Sequence, residues 1–253
     1  TTERAARLLG KPCGRYLTLS LEALSRREEE AFPRSVRALA ALIETLLPPL
    51  DSAAPVLIAG LGSRSITPDA VGPRSADHVI ATRHLISRSP EFFASWRPVS
   101  VLAPGVLGQT GVETGEIVRG VLDHVRPRAV IAIDALAAGR LSRLVRTVQL
   151  ADTGIVPGSG VNNARAALDR QTLGVPVLSI GVPTVADGGS LAHEIAQQLD
   201  GAQCEALDDL SQPFIITTRD IDREVADTAR LIGYAVNMAL QHISVEEIDL
   251  YLS

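Results

Sequence analysis

The sequence predicts an α/β fold in which a mainly parallel sheet is flanked by helices, and three observations carry that prediction. Short aliphatic runs of strand length alternate with segments of helical periodicity through most of the chain. Those runs are apolar throughout instead of alternating with polar residues, the pattern of strands covered on both faces. Aromatic residues make up only 3% of the 253 residues, so Val, Ile, Leu and Ala must fill the core.

The strand candidates are Val56-Leu57-Ile58-Ala59, Val99-Ser100-Val101-Leu102, Ala129-Val130-Ile131-Ala132-Ile133, Thr147-Val148-Gln149-Leu150 and Val175-Pro176-Val177-Leu178-Ser179-Ile180. Pro176 is tolerable near a strand start, where its missing N–H is not needed by the ladder. The alternation in Gly14-Arg15-Tyr16-Leu17-Thr18-Leu19 reads as an edge strand. Val36, Leu39, Ile43 and Leu46 form one helical face, and Ile117, Val118, Val121, Leu122 and Val125 form another. Toward the C-terminus, Ile221, Val225, Ile232, Val236 and Leu240 trace a long stripe, and Ser244 with Glu247 has capping-box spacing before a last short helix. No repeat or low-complexity linker interrupts the chain. The expected organisation is one α/β domain over 1–253, with an edge strand and helix in 1–50 and helices in 215–253.

A formal net charge of −5 and the absence of a Lys/Arg block argue against a dedicated nucleic-acid binder. Cys13 and Cys204 have no metal-ligand spacing and fit two free thiols in a reducing cytosol. No apolar run is long enough to cross a bilayer, and Thr1-Thr2-Glu3-Arg4 lacks a secretory core. A start without Met is the expectation for a trimmed chain.

Ligands of open α/β sheets collect beyond the carboxyl ends of the strands, and this sequence repeatedly places acids and glycines after its strand runs. Gly60-Leu61-Gly62 leads to Thr67-Pro68-Asp69, the next central run to Asp134, another to Asp152-Thr153-Gly154 and Pro157-Gly158-Ser159-Gly160, and the last to Gly181-Val182-Pro183-Thr184. Each acid also has a structural reading. Asp69 can open a helix after Pro68, and Asp134 and Asp152 can serve turns. Two facing carboxyl groups have a specific chemistry: in a partly desolvated site one is held protonated while its ionised partner activates water. Gly60-Leu61-Gly62 lacks the third glycine and prompt helix of a dinucleotide fingerprint. The histidines show no His-Glu-x-x-His pattern, and no Gly-x-Ser-x-Gly elbow is present. Glu113 and Glu116 start a helix, where acids favour the positive end of its dipole. Glu113 also stands near the expected crevice.

At these residues the chain resembles a known family. Gly60-Leu61-Gly62 with Thr67-Pro68-Asp69-Ala70-Val71-Gly72-Pro73 is followed by Thr82-Arg83-His84-Leu85 and by Pro104-Gly105-Val106-Leu107-Gly108-Gln109-Thr110-Gly111-Val112-Glu113-Thr114. Then come Ile131-Ala132-Ile133-Asp134-Ala135-Leu136-Ala137-Ala138, Asp152-Thr153-Gly154-Ile155, Pro157-Gly158-Ser159-Gly160-Val161, Thr172-Leu173-Gly174-Val175-Pro176 and Gly181-Val182-Pro183-Thr184-Val185. In this order the motifs are similar to those of the germination proteases of spore-forming bacteria. The resemblance implies an atypical aspartic endopeptidase that degrades small acid-soluble spore proteins during germination, with Asp69 and Asp134 as its catalytic acids. Gly62, Gly105, Glu113, Asp152, Gly158, Ser159, Gly160 and Thr184 stand as substrate-binding or oxyanion candidates. It further implies a fold like that of the hydrogenase-maturation endopeptidases, of phosphorylase/hydrolase-like type. A zymogen, a homotetramer and a cytoplasmic location in the forespore or spore core also follow, with no cofactor, metal, membrane or direct nucleic-acid partner. A metal-dependent maturation-type endopeptidase and an inactive regulatory homologue are the alternatives. Against that pattern three departures are expected: the usual acidic self-processing segment is not among these residues, the stretch between Asp187 and Ile215 is shorter than in typical members, and Ser63-Arg64 replaces the more usual residue after the Gly-Leu-Gly turn.

Overall fold

A computed structural model describes residues 1–158, 165–188 and 215–253. Its strands are β1 (Tyr16–Ser20), β2 (Val56–Leu61), β3 (Val99–Gly105), β4 (Ala129–Ala138), β5 (Thr147–Ala151), β6 (Val177–Asp187) and β7 (Ile215–Ile216). The described helices are α1 (Glu3–Leu9), α2 (Glu22–Ser25), α3 (Ala31–Leu46), α4 (Val71–Asp77), α5 (Arg83–Arg88), α6 (Pro90–Phe93), α7 (Leu107–Thr110), α8 (Thr114–Val125), α9 (Arg170–Leu173), α10 (Ile221–Gln241) and α11 (Val245–Leu252). A one-turn 3-10 segment, Thr67–Asp69, precedes α4.

The strands form one sheet in the order β1-β5-β6-β4-β2-β3, with β7 added to the far end of β6. Pairings β3–β2, β2–β4 and β4–β6 are parallel, whereas β5 runs antiparallel to both β6 and β1. The central strands β2, β4 and β6 are buried nearly from end to end, as their unbroken aliphatic sequences require. Helices cover both faces. Val56, Ile58, Ile131, Ile133 and Ile180 pack with the apolar sides of α3, α10 and α11, while Leu57, Ala59, Val130 and Ala132 pack with Val118 and Leu122 of α8. The expected faces are the ones buried: Val36, Leu39, Ile43 and Leu46 in α3, and Ile221, Val225, Ile232, Val236 and Leu240 in α10. The expected capping box is also formed, with Ser244 N–H donating to Glu247 (2.7 Å) and Glu247 N–H donating to Ser244 (3.2 Å).

The strands differ from the sequence reading in boundaries and in one direction. β6 starts at Val177, because Pro176 has no N–H to donate and contributes its carbonyl, which accepts from Val130 (2.9 Å). β4 and β6 then continue past their expected ends, pairing from Asp134 with Gly181 to Ala138 with Ala186. The segments that read as loops beyond the strands are therefore strand themselves, and Asp134 lies within β4. The third difference is direction. Since β5 is antiparallel to β6, its carboxyl end points to the amino ends of the central strands, opposite to the crevice.

The helix that brings Asp69 to the sheet is seated by missing side chains. A Cβ on Gly72, in the first turn of α4, would lie 2.2 Å from the Leu61 carbonyl oxygen and 2.4 Å from that of Ile133, and a Cβ on Gly60 would lie 2.3 Å from the Gly72 carbonyl oxygen. Backbone thus rests on backbone across β2 and β4. Gly72→Ala is expected to lose about 1–3 kcal/mol or more of stability through forced displacement of α4. Gly120→Ala on α8, where a Cβ meets nothing within 4 Å, is expected to gain roughly 0.5–1 kcal/mol. Urea unfolding of the two variants checks both signs.

Candidate active site

The carboxyl end of β2 begins the site. After Leu61 the chain turns at Gly62, whose φ of +106° suits glycine, and a Cβ there would sit 2.1 Å from the Asp69 carbonyl oxygen and 3.0 Å from Asp69 Oδ1. Gly62 therefore serves the pair by letting Asp69 fold back against β2. The Ser63 N–H donates to Asp69 Oδ2 at 2.7 Å. Ser63 is itself buried, and its hydroxyl is held by Ser65 Oγ (2.8 Å) and by the side-chain amide of Gln109, which donates to it at 2.8 Å. From the other side, the Thr67 hydroxyl donates to Asp222 Oδ1 of α10 (2.8 Å), fixing the one-turn segment that carries Asp69.

Asp134 enters from β4 and is only 5% exposed. Its Oδ1 accepts from the N–H of Ala135 at 2.9 Å. Burial pushes its pKa up to about 8, the nearby Asp69 charge adds to that rise, and the Ala135 N–H opposes it. Asp69 is half-buried and is also raised by burial, with the Ser63 N–H pulling it back down. The two carboxyls are thus close enough to feel each other, and the more deeply buried one holds its proton more firmly. Such a pair titrates as a unit, and burial weighs more heavily on Asp134 than on Asp69.

The other candidates divide. Gly105 ends β3 with φ +77°, and its carbonyl accepts from the Thr114 hydroxyl at 3.3 Å, shaping the loop that carries Gln109. Thr184 is fully buried in β6, and its hydroxyl has no partner among the described residues. Glu113 precedes α8, accepts from Arg165 (3.3 Å), and has its own N–H capped by Glu116 (3.2 Å), so the structural reading accounts for its contacts. Gly158, with φ +71°, follows Pro157, whose carbonyl accepts from the Arg165 N–H. Ser159 and Gly160 lie outside the described residues. Asp152 requires correction. The reversed direction of β5 carries it away from the crevice, and it instead accepts from Arg15 Nε (2.6 Å) and the Arg15 N–H (2.8 Å). Arg15 in turn donates to the carbonyls of Thr45 and Leu46, so this acid ties the edge strand to the end of α3.

Sequence reasoning missed Ser63, Gln109 and the Ala135 N–H as parts of the site. Gln109 stood in a quoted motif, but nothing local says that its amide reaches across to the loop after β2. The backbone donors have no sequence signal at all. His84 and His124 are exposed. Among the described residues, no group of three or more His, Cys, Asp or Glu side chains converges in a metal-holding arrangement, and no helix is long and apolar enough to cross a membrane.

The family model described as germination protease matches residues 1–201. The germination protease of Caldanaerobacter subterraneus subsp. tengcongensis is 39% identical over 266 residues, covering 94% of this chain and 82% of that one. That of Clostridium perfringens is 34% identical over 279 residues, covering 99% and 86%. That of Bacillus subtilis is 45% identical over 196 residues, covering 76% of this chain and 53% of its own. Among solved structures, the NiFe hydrogenase maturation protease HycI from Thermococcus kodakarensis covers 78% of this chain and 99% of its own, with 16% identity and a TM-score of 0.42, a likeness too loose to build on. The match over most of the length, at these identities, makes this chain a member of the germination protease family, a protease whose substrate is protein.

Proposed function

We propose that this chain is an aspartic-type endopeptidase that degrades small acid-soluble spore proteins during germination, with Asp69 and Asp134 as its catalytic acids. The observation that carries the reading is the coupled, unequally buried carboxyl pair at the carboxyl end of the sheet. Ionised Asp69, its charge supported by the Ser63 N–H, takes a proton from a water molecule as the water oxygen attacks the scissile carbonyl carbon. Protonated Asp134 donates to the carbonyl oxygen as it gains negative charge. Collapse of the tetrahedral intermediate breaks the C–N bond as the proton taken by Asp69 goes to the leaving amine and a hydroxyl proton of the intermediate returns to Asp134, which restores the starting state of the pair. Thr184 and the glycine-shaped loops at Gly62 and Gly105 border this chemistry as substrate-positioning elements. The spore cytoplasm as location, zymogen control and a homotetrameric assembly complete the proposal on family grounds.

Three outcomes test it. Asp69→Asn and Asp134→Asn are each expected to lower cleavage of a small acid-soluble spore protein at least about a thousandfold, on the scale of general acid–base catalysis combined with loss of the pair's charge. Fragment masses provide the readout, and near-wild-type cleavage by either variant would rule the mechanism out. Addition of EDTA to the wild type is expected to leave the rate unchanged, and a chelator-sensitive rate would favour a metal-dependent peptidase.

Activity and stability should share one pH window. kcat/KM is expected to fall as pH rises through about 8, where Asp134 loses its proton. A carboxyl held above its ordinary 3.8 makes the folded chain bind more protons than the unfolded chain, so its contribution to stability is full below about pH 4 and is lost as pH rises toward 8. Asp134→Asn removes that dependence. The stability of this variant relative to wild type is expected to climb by on the order of a few kcal/mol between pH 5 and pH 8, measured by urea unfolding at both values. A constant difference across the window would contradict the burial of a titrating Asp134.

A further inference from the structure

The strand that carries Asp134 runs farther than its neighbour. The last residue of β2 paired with β4 is Gly60, opposite Ile133, and the register of β2 then shifts so that Leu61 pairs with Gly105 of β3. β2 therefore leans toward β3 as it ends, while β4 continues through Ala138 with β6 as its only strand partner among the described residues. Beyond Ile133, the lane that β2 occupied holds no strand among the described residues beside 134–138.

The parity of the ladder says which backbone groups face that lane. Val130 donates to the carbonyl of Pro176 just before β6, so even-numbered residues of β4 direct N–H and C=O toward β6 and odd-numbered residues direct theirs toward β2. The extra residue in the paired stretch falls in β6, between Pro183 and Val185, and leaves the alternation of β4 intact. Ala135 and Ala137 thus face the open lane. The N–H of Ala135 is taken by Asp134 Oδ1, which leaves the Ala135 carbonyl and both backbone groups of Ala137 without a partner among the described residues. Ala135 and Ala137 are only half-buried. Backbone groups at a strand edge call for hydrogen-bonding partners, and an incoming extended chain supplies them at regular spacing.

We infer that the substrate polypeptide binds in extended form as an added strand in this lane, hydrogen-bonded to Ala135 and Ala137, so that the peptide bond to be cut lies beside Asp134. The occupant follows from continuity: the open edge starts at the proposed catalytic carboxyl, and the family acts on protein. A folded helix offers no free backbone groups to such an edge, so the substrate must be locally unfolded at the cleavage site. Exposed Ile66 and Val112, on the loops following β2 and β3 at the same end of the sheet, supply apolar surface for its side chains. This inference rests on the peptidase reading above and adds the conformation and anchoring of the substrate.

The test uses the full chain and a peptide spanning a site it cuts in a small acid-soluble spore protein, remade with one backbone nitrogen methylated at a time. Strand addition makes every second nitrogen on one side of the cut bond point at β4, so KM is expected to rise at least about tenfold for alternate positions and to change little between them. Tolerance at all positions, or loss without alternation, would overturn strand addition even though the chain cuts the parent peptide. A wild-type chain that cuts neither the spore protein nor the peptide would instead overturn the peptidase reading, and the lane with it. On the protein side, Ala137→Pro removes one lane-facing donor and is expected to raise KM roughly three- to tenfold for the parent peptide. Backbone-amide exchange at Ala137, followed in Asp134→Asn with and without the parent peptide, provides a readout independent of folding defects in the proline variant. Protection of Ala137 on peptide addition is expected, and unchanged exchange with bound peptide would count against the lane.

Discussion

The site depends on one close approach of backbone to backbone. α4 rests on β2 and β4 with no side chain between, because Gly60 and Gly72 present none. That contact, together with the sharp turn at Gly62, brings the segment ending at Asp69 back over the end of the strand it has just left. Any Cβ at these glycines would occupy space already taken by carbonyl oxygens. The two carboxyls meet because the chain can fold this tightly, and the surrounding aliphatic core gives them little water to share.

Burial and hydrogen bonding then distinguish the environments of the two acids. Removing water raises both carboxyls, since the charged form loses most in an apolar setting. Asp134 lies deeper and also feels its neighbour's charge, whereas Asp69 has a short bond from the Ser63 N–H to support ionisation. That donor is held by a second layer: Gln109, on the loop after β3, donates to the hydroxyls of both Ser63 and Ser65. Three consecutive parts of the crevice wall, from β2, β3 and β4, thus act on one pair of carboxyls.

Direction decides what the remaining acids can do. Asp134 and Asp152 both come after aliphatic runs in the sequence, and their local sequences offer no ground for treating them differently. β4 runs parallel to its neighbours and carries its acid into the crevice. β5 is reversed and delivers Asp152 to Arg15 at the opposite end. The same geometry lets β4 and β6 outrun β2, so residues that resemble a loop after a strand become an extension of the sheet.

The sequence by itself determined the aliphatic strands, the buried faces of α3 and α10 and the capping box at Ser244 and Glu247, and its motif order named Asp69 and Asp134 as candidates. Each of these is written in local periodicity, in residue chemistry or in motif order, which survive without knowledge of distant contacts. Only the tertiary structure decided that β5 is reversed, that Asp134 sits inside its strand, that Gln109 and the Ser63 N–H serve Asp69, and that β4 outruns β2 at Ala135 and Ala137. Those facts depend on which strand lies next to which and where each one stops. Hydrogen bonds between residues far apart in the chain settle such questions, and a backbone N–H looks the same in every residue that has one.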